Sequence, residues 1–63
     1  MTTLKHYLFE CIDENSENEG EEFIVGGYTY DEAHEKAKDE FGCVRYICRL
    51  TEEEAEASGL DEW

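Results

Sequence analysis

The sequence contains no proline, only three cysteines and only five lysine and arginine residues among its 63 positions. The shortage of cations has the clearest consequence, because eighteen aspartate and glutamate residues leave a formal net charge of -13. Direct binding to nucleic acid or anionic lipid depends on a basic surface, so this charge argues against both. No apolar stretch approaches the roughly 20 residues that cross a bilayer, which argues against a membrane role.

The cysteines Cys11, Cys43 and Cys48 are odd in number, and no signal-peptide pattern follows Met1. We therefore expect a cytoplasmic protein with reduced thiols. Cys43 and Cys48 lie on one predicted strand at a spacing that points them to opposite faces, and no C-x-x-C or H-x-x-x-H pair accompanies them. The spacing predicts no metal site, and no cofactor is expected.

Although 37% of the residues are charged, 40% are apolar and lie in short runs, as in a chain with a core. We expect a single small acidic domain over residues 1–63. A chain this short removes only about 60% of its extended surface from water on folding. Its stability margin is therefore expected to be thin, with little room for a buried catalytic cleft.

Three apolar runs predict β-strands. Residues 4–12 carry apolar groups on both alternating faces, which is typical of a central strand. Residues 23–28 contain a glycine pair that indicates a bulge or the close approach of another backbone. Alternation in residues 43–50 places Arg45 and Arg49 on the outer face beside Ile47. It directs the following residues toward the core: Val44, Tyr46, Cys48 and Leu50.

Capping patterns predict two helices. Thr29 followed by Glu32 matches a capping box, an apolar stripe at helical spacing follows it, and Gly42 supplies a left-handed residue that ends the helix. Thr51 with Glu54 repeats the pattern before a short acidic helix that ends at glycine.

The predicted element order is strand, strand, helix, strand, short helix. If the first strand pairs with both others, the main helix connects the second strand to the third. The result is an α+β fold, a three-stranded sheet of order 2-1-3 with one main helix packed on one face and a short acidic C-terminal helix. The second face then bears Leu4, Leu8 and Ile12, which need cover from the tail, a second copy or a partner.

No motif points to catalysis. Gly26 and Gly27 match neither G-x-G-x-x-G nor the P-loop, and no nucleophile elbow or aspartate dyad is present. A calcium loop starting at Asp13 would place Asn18 where glycine is required and Ile24 where the bidentate glutamate belongs. We therefore expect a protein that is not an enzyme.

Negative charge is the dominant feature that remains. Residues 13–22, here called the acidic tip, contain no apolar side chain and no cation, which predicts a solvated hairpin tip. The main helix adds a row of acids at i, i+4 and i+8. The predicted partner-binding residues are Asp13, Glu14, Glu17, Glu19, Glu21 and Glu22 on the tip and Asp31, Glu35 and Asp39 on the helix. A globule of this length spans about 27 Å, so its net charge is comparable to that of duplex DNA.

In size, in acidity and in the stretches 13–22, 31–40 and 52–62, the chain resembles the small acidic inhibitors, often encoded by bacteriophages, that imitate nucleic acid. The resemblance rests on size and acidity and contains no shared motif. It implies an inhibitor that occupies the DNA- or RNA-binding groove of a host protein. The resemblance does not name the target, and its candidates are uracil-DNA glycosylases, restriction enzymes, nucleoid proteins and CRISPR effectors.

Two hypotheses follow. In the first, carboxylates accept hydrogen bonds from the arginines and lysines of a basic, nucleic-acid-binding protein. In the second, the chain is a small homodimeric or accessory domain that uses Leu4, Leu8 and Ile12 on its open sheet face, and its acidity serves solubility only.

Overall fold

A computed structural model describes residues 3–63 and contains three strands and two helices. The elements are β1 (Lys5–Cys11), β2 (Glu22–Gly27), α1 (Tyr30–Phe41), β3 (Val44–Leu50) and α2 (Glu52–Ser58). The sheet has the order β2-β1-β3, and β1 pairs antiparallel with both neighbours. The predicted α+β fold and its strand order are confirmed. No helix formed by these described residues is long and apolar enough to cross a membrane.

The main core lies between the sheet and α1. Alternating side chains of β1 provide its centre, and Phe9 and Cys11 are completely buried there. The helix contributes Ala33 and Ala37, whose small side chains let α1 pack close to the strands. The buried cluster consists of Tyr7, Phe9, Cys11, Phe23, Val25, Ala33 and Ala37.

Gly27 lies where the backbone of α1 approaches β2. A Cβ atom at this position would stand 3.1 Å from the Ala33 nitrogen and 3.2 Å from the Ala33 Cβ. The register between β1 and β2 runs from Lys5 to Glu10 without a shift. Of the two explanations offered for the glycine pair, close approach is therefore correct and a bulge is wrong.

β3 contains a bulge that the sequence pattern did not reveal. Leu8 of β1 pairs with Cys48. The next residue, Phe9, pairs with Tyr46, so Ile47 is an extra residue in β3. Tyr46 shares the helix-facing side of the sheet with Phe9 but is 40% exposed, and Cys48 is exposed on the other side. The predicted direction is therefore correct for Tyr46, whose ring lies against Phe9 and Tyr30, and wrong for Cys48, because the inserted residue reverses the alternation after Tyr46.

The same bulge separates residues that were predicted to share a face. Arg45 pairs with Glu10, whereas Arg49 pairs with Tyr7 on the opposite face. Val44 and Leu50 remain half-buried at the two ends of the strand. A single uninterrupted alternation therefore does not describe β3.

Two further segments pack against the sheet, namely α2 and residues 60–63, the C-terminal tail, which pairs with the outer edge of β2. α2 contacts β1 and β3, and its Ala55 is 7% exposed. The tail runs parallel to β2, where the Ile24 N–H donates to the Asp61 carbonyl and the Trp63 N–H donates to the Ile24 carbonyl. Ile24 is completely buried as a result.

The three residues predicted to form an open apolar face do not act as one surface. Leu8 is half-buried, and Leu4 is 45% exposed beside Gly26. Ile12 is 48% exposed and lines a groove with His34 of α1. Ile12 lies beyond the end of β1, where strand alternation no longer sets the direction of the side chain.

Both predicted helices begin at their capping threonines. The Thr29 Oγ1 accepts from the Glu32 N–H at 3.2 Å. In α2 both bonds of the capping box form, since the Thr51 Oγ1 accepts from the Glu54 N–H and the Thr51 N–H donates to the Glu54 Oε1. α1 ends at Gly42 with φ 83, as predicted from the glycine.

Candidate functional site

The acidic tip is anchored to the body of the protein. The Asp13 Oδ2 accepts from the Cys43 N–H at 3.5 Å, and within the tip its Oδ1 accepts from the Asn15 N–H at 2.9 Å. The Gly20 N–H also donates to the Cys11 carbonyl at 2.8 Å. The tip is therefore placed beside the C-terminal end of α1, and Asp13 has a structural role there.

A cleft of about 710 Å³, here called the end cleft, opens between the acidic tip, the end of α1 and the C-terminal tail. Its acidic lining residues are Glu10, Glu21, Glu22, Glu40 and Asp61. Its large apolar lining residues are Phe23, Phe41, Leu60 and Trp63. Within the described part of the chain, no lysine, arginine or histidine lines this cleft.

Three aromatic rings in contact extend from the core to this cleft. Phe23 is buried and stacks on Phe41 with 3.8 Å between ring centroids. Trp63 meets Phe41 edge to face at 5.2 Å and is 47% exposed. The backbone of Trp63 is bonded to β2 on both sides, through the carbonyl of Ile24 and the N–H of Gly26. The indole is thus held at the cleft by main-chain hydrogen bonds.

The carboxylates of the cleft are poorly compensated. Glu10 and Glu22 stand directly opposite each other on β1 and β2, an arrangement that is unfavourable for like charges. Arg45 binds only Glu10, with its Nη2 2.7 Å and its Nε 3.1 Å from the Glu10 Oε1. Among residues 3–63, the other contact between an acid and a basic side chain is the hydrogen bond between the His6 Nδ1 and the Glu62 Oε1 at 2.6 Å. Most of the eighteen acids therefore have no cationic partner within the described chain.

The structure brings together only part of the predicted contact set. Glu21 and Glu22 line the end cleft. Apart from Asp13, the other acids predicted as contacts on the tip are exposed on the surface, namely Glu14, Glu17 and Glu19. The predicted row of acids on α1 is also exposed and consists of Asp31, Glu35 and Asp39.

Three acids of the cleft were missed from the sequence. Glu10 is the next-to-last residue of β1, Glu40 precedes Phe41, and Asp61 lies in the tail near Trp63. The only shared signal is an acid within two positions of an aromatic residue, which is too common to single them out. They line one cleft because β1 and α1 end, and the tail begins, at the same end of the sheet.

The molecule is longer than a sphere of the same mass. Its radius of gyration is 11.1 Å, but its extents are 38 × 23 × 15 Å. Duplex DNA carries one charge per about 1.7 Å, or about 22 charges over the longest of these extents. The net charge of -13 is therefore a little over half that of duplex DNA of equal length, and the expectation of comparable density was too high.

Because most carboxylates have no cationic partner, we expect the free energy of unfolding to increase with salt concentration. We expect the melting temperature to rise by about 5 °C between about 10 and 300 mM NaCl, because screening removes about 1 kcal/mol of self-repulsion. Circular dichroism at constant pH measures this shift. A variant with Glu14→Gln, Glu17→Gln and Glu19→Gln should show a smaller shift, and a flat wild-type curve would mean that the acids are too far apart to interact.

Thiols and metal ligands do not form a second site within the described residues. Cys11 is buried, Cys43 and Cys48 are exposed, and all three are free. Residues 3–63 contain no group of three or more histidine, cysteine, aspartate or glutamate residues placed to hold a metal ion.

No family model matches the chain, and neither a curated protein nor a solved structure is significantly similar to it.

Proposed function

We propose that this protein is a non-catalytic acidic binding protein that occupies the basic, nucleic-acid-binding surface of another protein. The end cleft is the observation that supports this most directly. Carboxylates from β1, the acidic tip, β2, α1 and the tail line it together with aromatic side chains, and no lysine, arginine or histidine of residues 3–63 does so. A basic partner supplies the missing charge through arginines and lysines that otherwise hold phosphates.

Acids outside the cleft extend the negative surface. The acidic tip exposes three further carboxylates, and the row on α1 begins near the tip at Asp39 and continues to Asp31. Dense charge of one sign accelerates encounters with a basic surface and depends on ionic strength. The cleft supplies the apolar contacts that carboxylates alone lack, because Trp63 and Leu60 lie among its acids.

Self-association through the sheet face has less support. α2 packs against β1 and β3, the C-terminal tail occupies the outer edge of β2, and Ile24 of that strand is completely buried. A net charge of -13 on each copy also opposes association. Gel filtration with light scattering tests this alternative, which requires a dimer that persists at low and high salt.

The proposal predicts salt-sensitive capture of nucleic-acid-binding proteins. Immobilised protein should retain basic proteins from a nuclease-treated lysate at about 50 mM salt and release most of them at about 500 mM, because screening weakens exposed charge pairs. Added duplex DNA or RNA should displace the same proteins. Mass spectrometry of the eluates, followed by nucleic-acid-binding assays on the purified hits, measures both effects.

Matched variants locate the contact surface. Neutralising Glu14, Glu17 and Glu19 to glutamine should lower retention about tenfold, since three exposed pairs contribute about 0.5 kcal/mol each. Neutralising Glu52, Glu53 and Glu56 on α2 removes the same charge and should have about a twofold effect. Equal effects of the two variants, or hits that nucleic acid does not displace, would contradict the proposal.

A further inference from the structure

The C-terminal tail pairs with the outer edge of β2 as a short parallel strand. We propose that this edge is a binding site for an extended segment of the partner, which displaces the tail and pairs with β2 in its place. The inference rests on the proposed function for the charge of the partner segment, and it adds the conformation in which that segment binds. The main-chain hydrogen bonds of the tail are the observation that supports it.

The outward-facing main-chain groups of β2 define the length of the site. The Ile24 N–H donates to the Asp61 carbonyl at 3.1 Å, and the Ile24 carbonyl accepts from the Trp63 N–H at 2.7 Å. The Gly26 N–H donates to the Trp63 carbonyl at 2.8 Å, and the Gly26 carbonyl accepts from the Lys36 Nζ at 2.7 Å. Unpaired groups at a sheet edge favour pairing with another strand. The tail satisfies three of these four groups, so the edge accepts a segment of this length.

Gly26 gives an added strand room to lie against this edge. A Cβ atom at Gly26 would stand 3.3 Å from the Glu62 Oε1 and 3.7 Å from the Trp63 carbonyl oxygen. Glycine within a strand commonly marks the close approach of another backbone. The first glycine of the pair therefore makes room for the edge segment, whereas the second makes room for α1.

Side chains of the tail show what each position of an incoming segment meets. Trp63 packs edge to face on Phe41 of α1, with 5.2 Å between ring centroids. Glu62 points to the other face of the sheet, where its Oε1 lies 2.6 Å from the His6 Nδ1. An aromatic residue at the position of Trp63 and a hydrogen-bond acceptor at the position of Glu62 therefore suit the site.

The tail can leave this edge without disturbing the main core. It follows Gly59, which has φ 72, and no non-neighbouring atom of residues 3–63 lies within 4 Å of a Cβ placed there. Trp63 is 47% exposed, and the Glu62 side chain is 43% exposed. Detachment breaks the main-chain bonds to β2, the ring contact and the bond to His6, but it removes no residue from the buried cluster. Segments of this kind open locally, with a smaller free energy than global unfolding.

Charge makes the tail a poor occupant of its own site. Asp61 adds a carboxylate to the end cleft, which Glu21 and Glu40 also line and which no lysine, arginine or histidine of residues 3–63 lines. A partner segment with lysine at the position of Asp61 replaces that carboxylate with a cation. An extended, basic segment with an aromatic residue is therefore the occupant that competes best with the tail.

Hydrogen exchange measured by NMR tests whether a segment replaces the tail. The intact protein is mixed at about 50 mM salt with a peptide of glycine, leucine, lysine, glutamate, phenylalanine and glycine. The Trp63 amide should exchange about tenfold faster, because the peptide takes its acceptor, the Ile24 carbonyl. The Ile24 and Gly26 amides should stay protected, because they donate to the peptide instead. Emission of Trp63, the only tryptophan, should shift to longer wavelength as the indole leaves Phe41.

Two control peptides test the chemistry of the site. An N-methyl group on the phenylalanine removes the N–H that pairs with the Ile24 carbonyl, and it should weaken binding about tenfold. Aspartate in place of lysine restores the charge that the tail carries at Asp61. This second peptide should bind about fivefold more weakly than the lysine peptide.

Two exposed aromatic residues provide matched variants. Trp63→Ala removes the contact between the tail and Phe41, so the peptide displaces a weaker competitor and should bind about fivefold more tightly. Tyr28→Ala removes a ring of the same 47% exposure outside the tail and should leave the affinity unchanged. Circular dichroism confirms that both variants keep the fold.

Several results would overturn the inference. They are loss of protection at Ile24 and Gly26 together with Trp63, no change at any of these amides, equal affinities for the lysine peptide and either control peptide, or equal affinities of the two variants. If salt-sensitive capture of nucleic-acid-binding proteins persists in any of these cases, the strand site is wrong and the proposed function stands. If that capture fails while the peptide results are as expected, the proposed function is wrong and the strand site stands.

Discussion

Replacing Phe9 with alanine is expected to leave most of the protein unfolded at 25 °C. Phe9 is completely buried on the central strand, and its ring lies 6.1 Å from that of Phe23 and 5.8 Å from that of Tyr46. Removing a buried phenylalanine costs about 3–5 kcal/mol. Stabilities of about 0.05–0.15 kcal/mol per residue give a chain this short a comparable total. Urea denaturation followed by circular dichroism measures the loss.

Two companion variants show whether the effect comes from the core. Phe9→Leu keeps much of the buried volume and should cost about half as much as Phe9→Ala. Ile12→Ala removes an apolar side chain that is 48% exposed and should cost less than about 1 kcal/mol. If Phe9→Ala and Ile12→Ala were equally mild, the packing between the sheet and α1 described above would be wrong.

Replacing Gly42 with alanine is expected to lower the stability by about 3 kcal/mol. Gly42 has φ 83 and ψ -124, and a side chain in this region is strained by about 1–3 kcal/mol. An added Cβ would also collide with the Oδ2 of Asp13, which anchors the acidic tip. Chemical denaturation of the variant measures the sum of the two effects.

A double-mutant cycle separates strain from collision. Asp13→Ala removes the carboxylate that the new Cβ meets, but it also removes the bonds to the Asn15 and Cys43 N–H groups. The double variant should therefore be about 1 kcal/mol more stable than the sum of the single effects implies. Strict additivity would show that the Asp13 side chain moves aside without cost and that backbone strain alone disfavours alanine.

Local sequence signals predicted the elements of the fold well. Each helix begins at a threonine that caps it, and these bonds join residues only three positions apart. The apolar groups on both faces of β1 indicated a central strand, and β1 does pair with β2 and β3. Such signals are readable because they depend on nearby residues and on the period of the element.

Features that depend on pairing between distant segments were less predictable. The bulge at Ile47 is visible only in the register of β3 against β1, where Cys48 pairs with Leu8 and Tyr46 with Phe9. The C-terminal tail gave no strand signal, yet its Trp63 bonds to Ile24 at the edge of β2. In both cases pairing with a distant strand determines the conformation, and the local sequence pattern does not show that pairing.

By itself the amino-acid sequence determined the net charge, the helix boundaries, the strand order and the exposure of the acids on α1 and the tip. Only the tertiary structure decided which carboxylates meet around Trp63. Glu10, Glu40 and Asp61 are far apart along the chain and line one cleft because β1 and α1 end, and the tail begins, at the same end of the sheet. Charge is a sum over residues, whereas a binding cleft depends on long-range packing.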